Sequence, residues 1–452
     1  MNPSSPDRQR LLDLVRRHGW NATAFQTVGA GYNYFFHGDA CVAYVDTGRA
    51  WVAAGAPIAA AEAVANVAKI FARAARSAGK RCCFFATEDH FQETTAEDFE
   101  SFQVGEQPVW DPRQWPATLA NHPSLREQLR RARAKGVTVR ETRGELISGP
   151  LRDALDRVAA RWIATHDMAP MGFLVNIQPF GTLVDRACFV AELNGRVCGF
   201  ASVIPVPARG GWFIEHLIRD PSAPNGTGEL LVNAVMQWAK DADCGWLTLG
   251  LAPLAGDVSG FLRFTRRIAS PLYDFDGLRA YKAKLNPQSW SVIHLTYPNS
   301  QSPAISILDV LSAFTRGGFL RFGIRSILRG PTFLLRAIAT LLVPWTILLA
   351  ATPVYPWFGT PYVKWAWVIF DVLLALGLFG MLRRPKVSGM TVLAMAVTCD
   401  AALTLLQAVV WNARRITNIG EALIVFVACA GPAFLAVVLW GARARMVRAH
   451  RI

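Results

Sequence analysis

The run Gly211–Pro253, GWFIEHLIRDPSAPNGTGELLVNAVMQWAKDADCGWLTLGLAP, restricts the possible folds most sharply. Phe213–Ile218 is apolar except for Glu215 and His216 and reads as a strand. Arg219–Gly228 is a turn rich in Pro, Asn and Gly. Glu229–Ala239 has apolar residues at 230, 231, 234, 235 and 238, the period of a helix. Asp241–Gly245 turns, and Trp246–Leu251 reads as a second strand. Parallel strands require such a crossover. Its turn leaves backbone N–H groups at a helix N-terminus, an anion-binding arrangement. An acid, an imidazole and a guanidinium (Glu215, His216 and Arg219) stand just before it.

The same order of elements occurs earlier. Ala50–Ala54 reads as a strand, GAPI (Gly55–Ile58) as a turn, Ala60–Ala78 as an Ala-rich helix with Gly79 at its end, and Arg81–Ala86 as a strand. Two α/β halves of similar build are therefore expected, in tandem, on element order alone. Around them, Arg8–His18 is an amphipathic helix, and Thr23–Gln26, Asn33–His37, Ala40–Asp46 and Val104–Trp110 read as strands, the last carrying Glu106. His122–Lys135 is a strongly basic helix, Val137–Glu141 a strand and Pro150–Thr165 a helix. Cys188–Leu193 and Arg196–Ile204 form a hairpin around Asn194-Gly195. Phe261–Ile268 is a basic, aromatic segment, Gly277–Leu285 a basic helix and Ser291–Tyr297 a strand.

The chain has 452 residues, 52% of them hydrophobic, and a net charge of +14. Its mean hydropathy is +0.24. The apolar excess is concentrated after residue 330. Segments near 332–352, 365–382, 388–411 and 419–440 are each long enough to cross ~30 Å of hydrocarbon. Arg383, Arg384 and Lys386, and the arginines after residue 440, outnumber Lys364, Arg414 and Arg415 on the other side. That bias puts both termini inside. Before the first span, Pro303–Arg329 mixes apolar residues with Arg316, Arg321, Arg325 and Arg329, like a segment lying on a bilayer. A surface helix of the soluble part is the alternative. Asp371, Asp400 and Glu421 fall within or beside the spans, where acids mark functional positions or interhelical contacts. The expected division is 1–120 and 121–300 for the halves, 301–330 for the interfacial segment and 331–452 for an all-α membrane domain of about four helices. The eight Cys form no C-x-x-C and read as buried thiols, and no metal site or cofactor is expected. The N-terminus MNPSSPDRQR lacks the apolar core of a signal peptide, so the soluble part is expected in the cytoplasm.

Several stretches together carry a family resemblance. They are GAPI at Gly55, GEQPVW at Gly105, SLREQLRRARAKGV at Ser124, EHLIRDPSAPNGTGELL at Glu215, LTLGLAPL at Leu247 and YDFDGLRAYKAKLNPQSW at Tyr273. In this order, over about 30–297, the sequence resembles the catalytic domain of phosphatidylglycerol lysyltransferases, also called multiple peptide resistance factors. The resemblance implies two GNAT-like acyltransferase halves in tandem. It also implies transfer of an amino acid from aminoacyl-tRNA to a glycerol hydroxyl of an anionic phospholipid, at the cell inner membrane. The lysyl enzymes read Asp-Leu-Met-Arg where this chain reads His216-Leu217-Ile218-Arg219. Arg219 is retained, and His216, with Glu215 beside it, takes the acid's place.

Attack of a hydroxyl on an aminoacyl ester needs a base, oxyanion stabilisation and protonation of the leaving oxygen. His216 suits the proton transfers. On regular strand geometry Glu215 and His216 face opposite ways unless a bulge intervenes. Arg219 suits a phosphate clamp, and Asn225 and Gly226 a backbone donor site. Lys282 and Lys284, two apart on a helix, suit phosphate or a solvated face, and Glu106 suits an α-amino group. Arg126, Arg130, Arg131 and Arg133, with Lys135, suit tRNA or membrane contact, or simply solvent. Two other readings stay open: a GNAT enzyme using acyl-CoA on a lipid or amine, and a non-catalytic membrane binding protein.

Overall fold

The computed structural model describes residues 5–165, 171–175, 180–181, 184–260, 262–263, 266, 274–315, 318, 331–355, 357–383 and 386–451. The chain divides into two compact units. One is Met1–Thr165 with Pro170–Phe319, and the other His166–Ala169 with Leu320–Ile452.

In the first unit, α1 (Ser5–His18) precedes β1 (Asn33–His37), β2 (Ala40–Asp46) and β3 (Ala50–Ala54). α2 (Val64–Ser77) then crosses to β4 (Arg81–Thr87), and α3 (Asp89–Thr95) leads to β5 (Phe99–Trp110). After α4 (Trp115–Asn121) and α5 (Pro123–Ala134) the plan repeats. β6 (Val137–Arg143), α6 (Gly149–Ala164), β7 (Ala187–Leu193), β8 (Arg196–Val206) and β9 (Gly211–Arg219) lead to α7 (Thr227–Asp241), which crosses to β10 (Leu247–Thr248). β11 (Ala252–Pro253), α8 (Phe275–Lys284), β12 (Ser289–Pro298) and α9 (Pro303–Phe314) complete the unit. The tandem GNAT-like duplication is thus present. β3 runs parallel to β4 and β9 parallel to β10, each pair joined through its helix.

One sheet holds all these strands, in the order β1-β2-β3-β4-β12-β5-β10-β9-β8-β7-β6, with β11 on β5. Its centre is the long antiparallel pairing of β12 with β5. The order shows an exchange. β5, which ends the first run of strands, lies beside β10 of the second. β12, which ends the second, lies beside β4 of the first. The fully buried Trp110 at the end of β5 packs with α5 and α7 in the second half's core.

Local chemistry accounts for most boundaries. Asn194 and Gly195 both take positive φ (51° and 74°), the tight turn that joins β7 to β8. Thr23–Gln26, expected as a strand, instead enters a 3-10 turn, Phe25–Val28. Thr27 turns its hydroxyl onto the Ala24 carbonyl, 2.6 Å away, and Phe25 and Val28 pack against α1. Trp246–Leu251 shortens to the two-residue β10, because Gly250 at φ 68° turns the chain away. Phe261–Ile268 lies largely outside the described residues.

α9 belongs to this unit. Arg81 makes a bidentate contact with the buried Asp309 at 2.6 and 2.8 Å, and Phe314 meets Phe85 edge-on. Ile305, Leu308 and Leu311 on its other face are exposed. Within the expected interfacial segment, α9 thus packs one face on the α/β unit and leaves an apolar face exposed. Arg316, Arg321, Arg325 and Arg329 lie outside the described residues.

The second unit contains α10 (Pro331–Ala351), α11 (Pro361–Arg383), α12 (Val387–Gln407) and α13 (Ile419–Arg451). Among the described residues, three stretches are long and apolar enough to cross a membrane: Pro361–Leu382, Val387–Arg415 and Ile419–Ala444. The expected first span corresponds to α10, whose apolar stretch Leu335–Ala351 is shorter and contains Pro344.

Candidate active site

The second half's crossover gathers the charge. β9 does not alternate regularly. Ser202 pairs with His216 and Val203 with Ile214, so Glu215 is the extra residue of a bulge. That irregularity turns Glu215 and His216 toward each other, with His216 Nδ1 3.2 Å from Glu215 Oε2. The contact is an ion-pair approach without hydrogen-bond alignment, since Nδ1 has no hydrogen-bond partner. Glu215 is also held by Arg186, whose Nη1 donates both to its Oε2 and to the Ser202 hydroxyl. Gln26 Nε2 donates to Glu215 Oε1 at 3.1 Å and to the Leu174 carbonyl at 3.2 Å. Burial alone would raise the Glu215 pKa. The charges of His216 and Arg186 outweigh it and hold the carboxyl well below its usual range.

A second cluster forms on α8. Arg279 Nε donates to Glu106 Oε1 at 2.8 Å, with the guanidinium 4.6 Å from the Trp290 ring centre. Glu106 reaches this cluster because the exchanged β5 lies against β11. Lys282 is buried, and its ammonium donates to the carbonyls of Leu249, Gly250 and Leu251 at 2.9, 2.8 and 2.9 Å. Burial pushes its pKa down to about 7, while three carbonyl acceptors favour the charged form. Lys284 points elsewhere, to Gln128 (2.7 Å) and Glu229 (3.1 Å). The two lysines thus diverge, as their spacing implied.

At the start of α7, Gly226 has φ 93°, and a Cβ there would run into the Gln128 carbonyl of α5. Glycine is required for close approach as well as for the turn. Asn225 is exposed. Arg219 is exposed at the end of β9, its one described hydrogen bond a long one (3.4 Å) to the Ala223 carbonyl. Tyr281 adds a hydroxyl that is buried, unpartnered and near Gly228. The basic helix is partly committed to its own neighbours. Arg126 caps the Leu119 and Ala120 carbonyls, and Arg130 and Arg131 both pair with Glu127 at 2.7 Å. Arg133 is exposed.

β9, α7 and α8 therefore meet at one helix start beside the exposed Arg219, whereas the fixed pair Glu215–His216 lies with Arg186, Ser202 and Gln26. Arg186, Arg279, Gln26 and Tyr281 were not singled out by sequence. Arg186 is 29 positions from Glu215 and belongs to no motif.

Residues 12–293 match the family model described as phosphatidylglycerol lysyltransferase, C-terminal. The chain is 23% identical over 316 residues to the phosphatidylglycerol lysyltransferase of Bacillus subtilis, covering 67% of this chain and 36% of that protein. It is 23% identical over 242 residues to the lysylphosphatidylglycerol biosynthesis bifunctional protein LysX of a Mycobacterium species, covering 48% of this chain and 21% of the relative. The chain thus spans well under half the length of these relatives. Among solved structures, it is similar to a C-terminal domain from Agrobacterium fabrum described as that of a lysylphosphatidylglycerol synthetase. The TM-score is 0.60 at 25% identity, over 69% of this chain and 98% of the other. It also shares its fold with L-PGS from Bacillus licheniformis, at TM-score 0.61 and 20% identity, over 70% of this chain and 98% of that one. With well over half of its residues under the family model, including every strand that carries the candidate site, the chain belongs to the phosphatidylglycerol lysyltransferase C-terminal family.

Proposed function

We propose that this protein transfers an amino acid from aminoacyl-tRNA to a glycerol hydroxyl of phosphatidylglycerol, at a membrane held by its second unit. The observation that carries the reading is that the family match encloses the bulged strand on which a buried carboxylate meets an imidazole, shortly before an exposed arginine. In this reading Glu215, fixed by Arg186 and Gln26 and 3.2 Å from His216 Nδ1, stabilises the imidazolium that forms when His216 accepts a proton. Nε2 has no hydrogen-bond partner among the described residues and is left to work on substrate. It takes the proton of the lipid hydroxyl as the oxygen attacks the aminoacyl carbonyl. The tetrahedral intermediate collapses, the ribose oxygen leaves, and the imidazolium returns the proton to it. Arg219 clamps a phosphate of lipid or tRNA. Lys282, Lys284, Glu106, Asn225 and Gly226 shape the substrate site, with Glu106 or its partner Arg279 near the amino acid. The basic face of α5 contributes to binding tRNA or membrane.

The test is lipid aminoacylation by the purified full chain with charged tRNA and phosphatidylglycerol. An amino-acid-bearing lipid that disappears on RNase treatment is expected. Product made from acyl-CoA and resistant to RNase would select the acyl-CoA reading instead. The transfer also requires the α/β unit on the tRNA-containing side, the inner face of the cell membrane. A reporter fused after Ile452 is expected to behave as cytoplasmic, and its export would overturn the orientation.

A further inference from the structure

The helices of the second unit line a partly open cavity of about 230 Å³, many times the ~15 Å³ that one water needs. Asp371 of α11 and Asp400 of α12 both line it and are 8% and 6% exposed. Trp345, Trp357, Trp367 and Phe358 supply aromatic wall. Part of the polar lining is used up. Trp367 Nε1 donates to Gln407 Oε1 at 2.9 Å, and Gln407 Nε2 donates to the Trp357 carbonyl at 3.2 Å. The remaining acceptors are short of donors. Asp400 receives one long bond, 3.3 Å, from Thr404. Asp371 receives none among the described residues. Asn412 Oδ1 is buried, lines the cavity and has no partner. It stands at the end of a π-helical turn, Ala408–Asn412, that continues α12, an irregularity frequent at functional sites.

No described lysine or arginine lines this cavity. Lys364 lies by the Trp365 ring, and Arg415 lies over Trp411 and bonds its carbonyl. Two carboxyl groups and a bare amide oxygen in an apolar bundle call for a guest that donates hydrogen bonds and carries positive charge. The indole walls favour the same charge through their ring faces. The volume is far larger than a bare ion needs, and its walls suit an apolar body.

We propose that this cavity is a binding site for an organic ammonium group, a protonated primary amine on an apolar or lipid-linked body, with Asp371 and Asp400 as its counter-charges and Asn412 as a further acceptor. The site lies wholly within residues 345–432, beyond the family-matched region, and does not depend on the transferase reading.

The experiment uses the full chain in phosphatidylglycerol nanodiscs, whose lipid carries no amine, and n-hexylammonium as probe. Saturable binding is expected, with n-hexanol binding at least tenfold more weakly. Asp371→Asn and Asp400→Asn should each weaken the ammonium at least tenfold and leave hexanol unchanged. The unmutated protein gives a second reading. Labelling of Asp371 and Asp400 by a hydrophobic carbodiimide, followed by peptide mass spectrometry, should be suppressed by hexylammonium and not by hexanol. Equal binding of amine and alcohol, or labelling indifferent to the amine, would overturn the proposal. Displacement of hexylammonium by an aminoacylated phosphatidylglycerol at tenfold lower concentration would identify a lipid-borne amine. Displacement by small soluble amines alone would identify a free one. Either displacement supports the site.

Discussion

In the first half, the strand that enters the crossover helix is Ala50–Ala54, AWVAA. In the second it is Gly211–Arg219, GWFIEHLIR. Both run parallel to the strand after their helix, and both leave through a glycine with positive φ, Gly55 at 85° and Gly226 at 93°. The two loops differ in chemistry. After β3 the loop is closed by backbone: Cys41 and Ile58 exchange hydrogen bonds of 3.0 and 2.8 Å, and the uncharged side chains of Asn21 and Thr23 stand against Gly55. After β9 the loop is open to polar groups, with Arg219 at its start and the Tyr281 hydroxyl over Gly228. The bulge that turns Glu215 toward His216 lies in the second half, where the strand carries ionisable side chains to redirect. A duplicated backbone plan therefore does not carry a duplicated site. In the proposed reading the chemistry depends on three side chains and one extra residue in a strand.

Four measurements put this contrast at risk. The largest effect is expected from Arg186→Met, which leaves Glu215 buried beside a single charged partner. Removing one member of a buried pair costs ~3–5 kcal/mol, so thermal unfolding should shift down by several degrees. An unchanged midpoint would mean that the second half does not depend on its buried charge. Next is Arg219→Ala. Loss of a charge-assisted contact worth ~1.5–3 kcal/mol should lower lipid aminoacylation at least roughly tenfold, with no change in unfolding. Arg219→Lys should restore it only in part, because a point charge does not reproduce the planar fork. Near-normal activity at equal expression would remove β9 from the site.

Third, Gly226→Ala meets both a left-handed backbone and the Gln128 carbonyl, whereas Gly79→Ala (φ 68°) meets no atom within 4 Å. Gly79→Ala should cost ~1–2 kcal/mol from conformation alone, and Gly226→Ala measurably more. Equal costs would mean that the packing of α7 on α5 is not tight. The last measurement concerns pH. Burial pushes the Lys282 pKa down to about 7 in the folded chain, against ~10.4 when unfolded, with its three carbonyl bonds opposing part of that shift. Between these values the unfolded chain binds the extra proton, so Lys282 should make stability rise with pH there. Lys282→Met should flatten that slope in denaturant titrations from about pH 7 to 10. Glu215 acts at the acid end. Its depressed pKa adds stability above ~4.3 that is lost as pH falls toward the folded value.

Local rules made the elements readable. The Asn194-Gly195 turn, the helical period of α7 and the element order around each crossover were all legible. Partnership was not, because it depends on which distant residues a sheet brings together. Gln26, Arg186 and Glu215 come from three separate segments, and only the folded sheet assembles them. The bulge was legible as a possibility, not a fact, since HLIR has no glycine to announce it. The same limit applied to β5. Only Val104–Trp110 read as a strand, yet residues 99–103 also pair with β12 at the centre of the sheet. Glu106 found its place beside α8 only through that exchange.

The exchange also bears on how the protein is made. Until residues 289–298 have left the ribosome, β4 has no neighbour on its open side and β5 lacks the partner that fills the middle of the sheet. An N-terminal fragment ending before β12 would expose two strand edges, a template for sticking to other chains. The first half cannot mature on its own during synthesis, and splitting the chain between the halves would yield two incomplete sheets rather than two domains. Both copies of the duplicated plan are bound into one folding unit, which keeps the copy without ionisable strand residues indispensable to the one that has them.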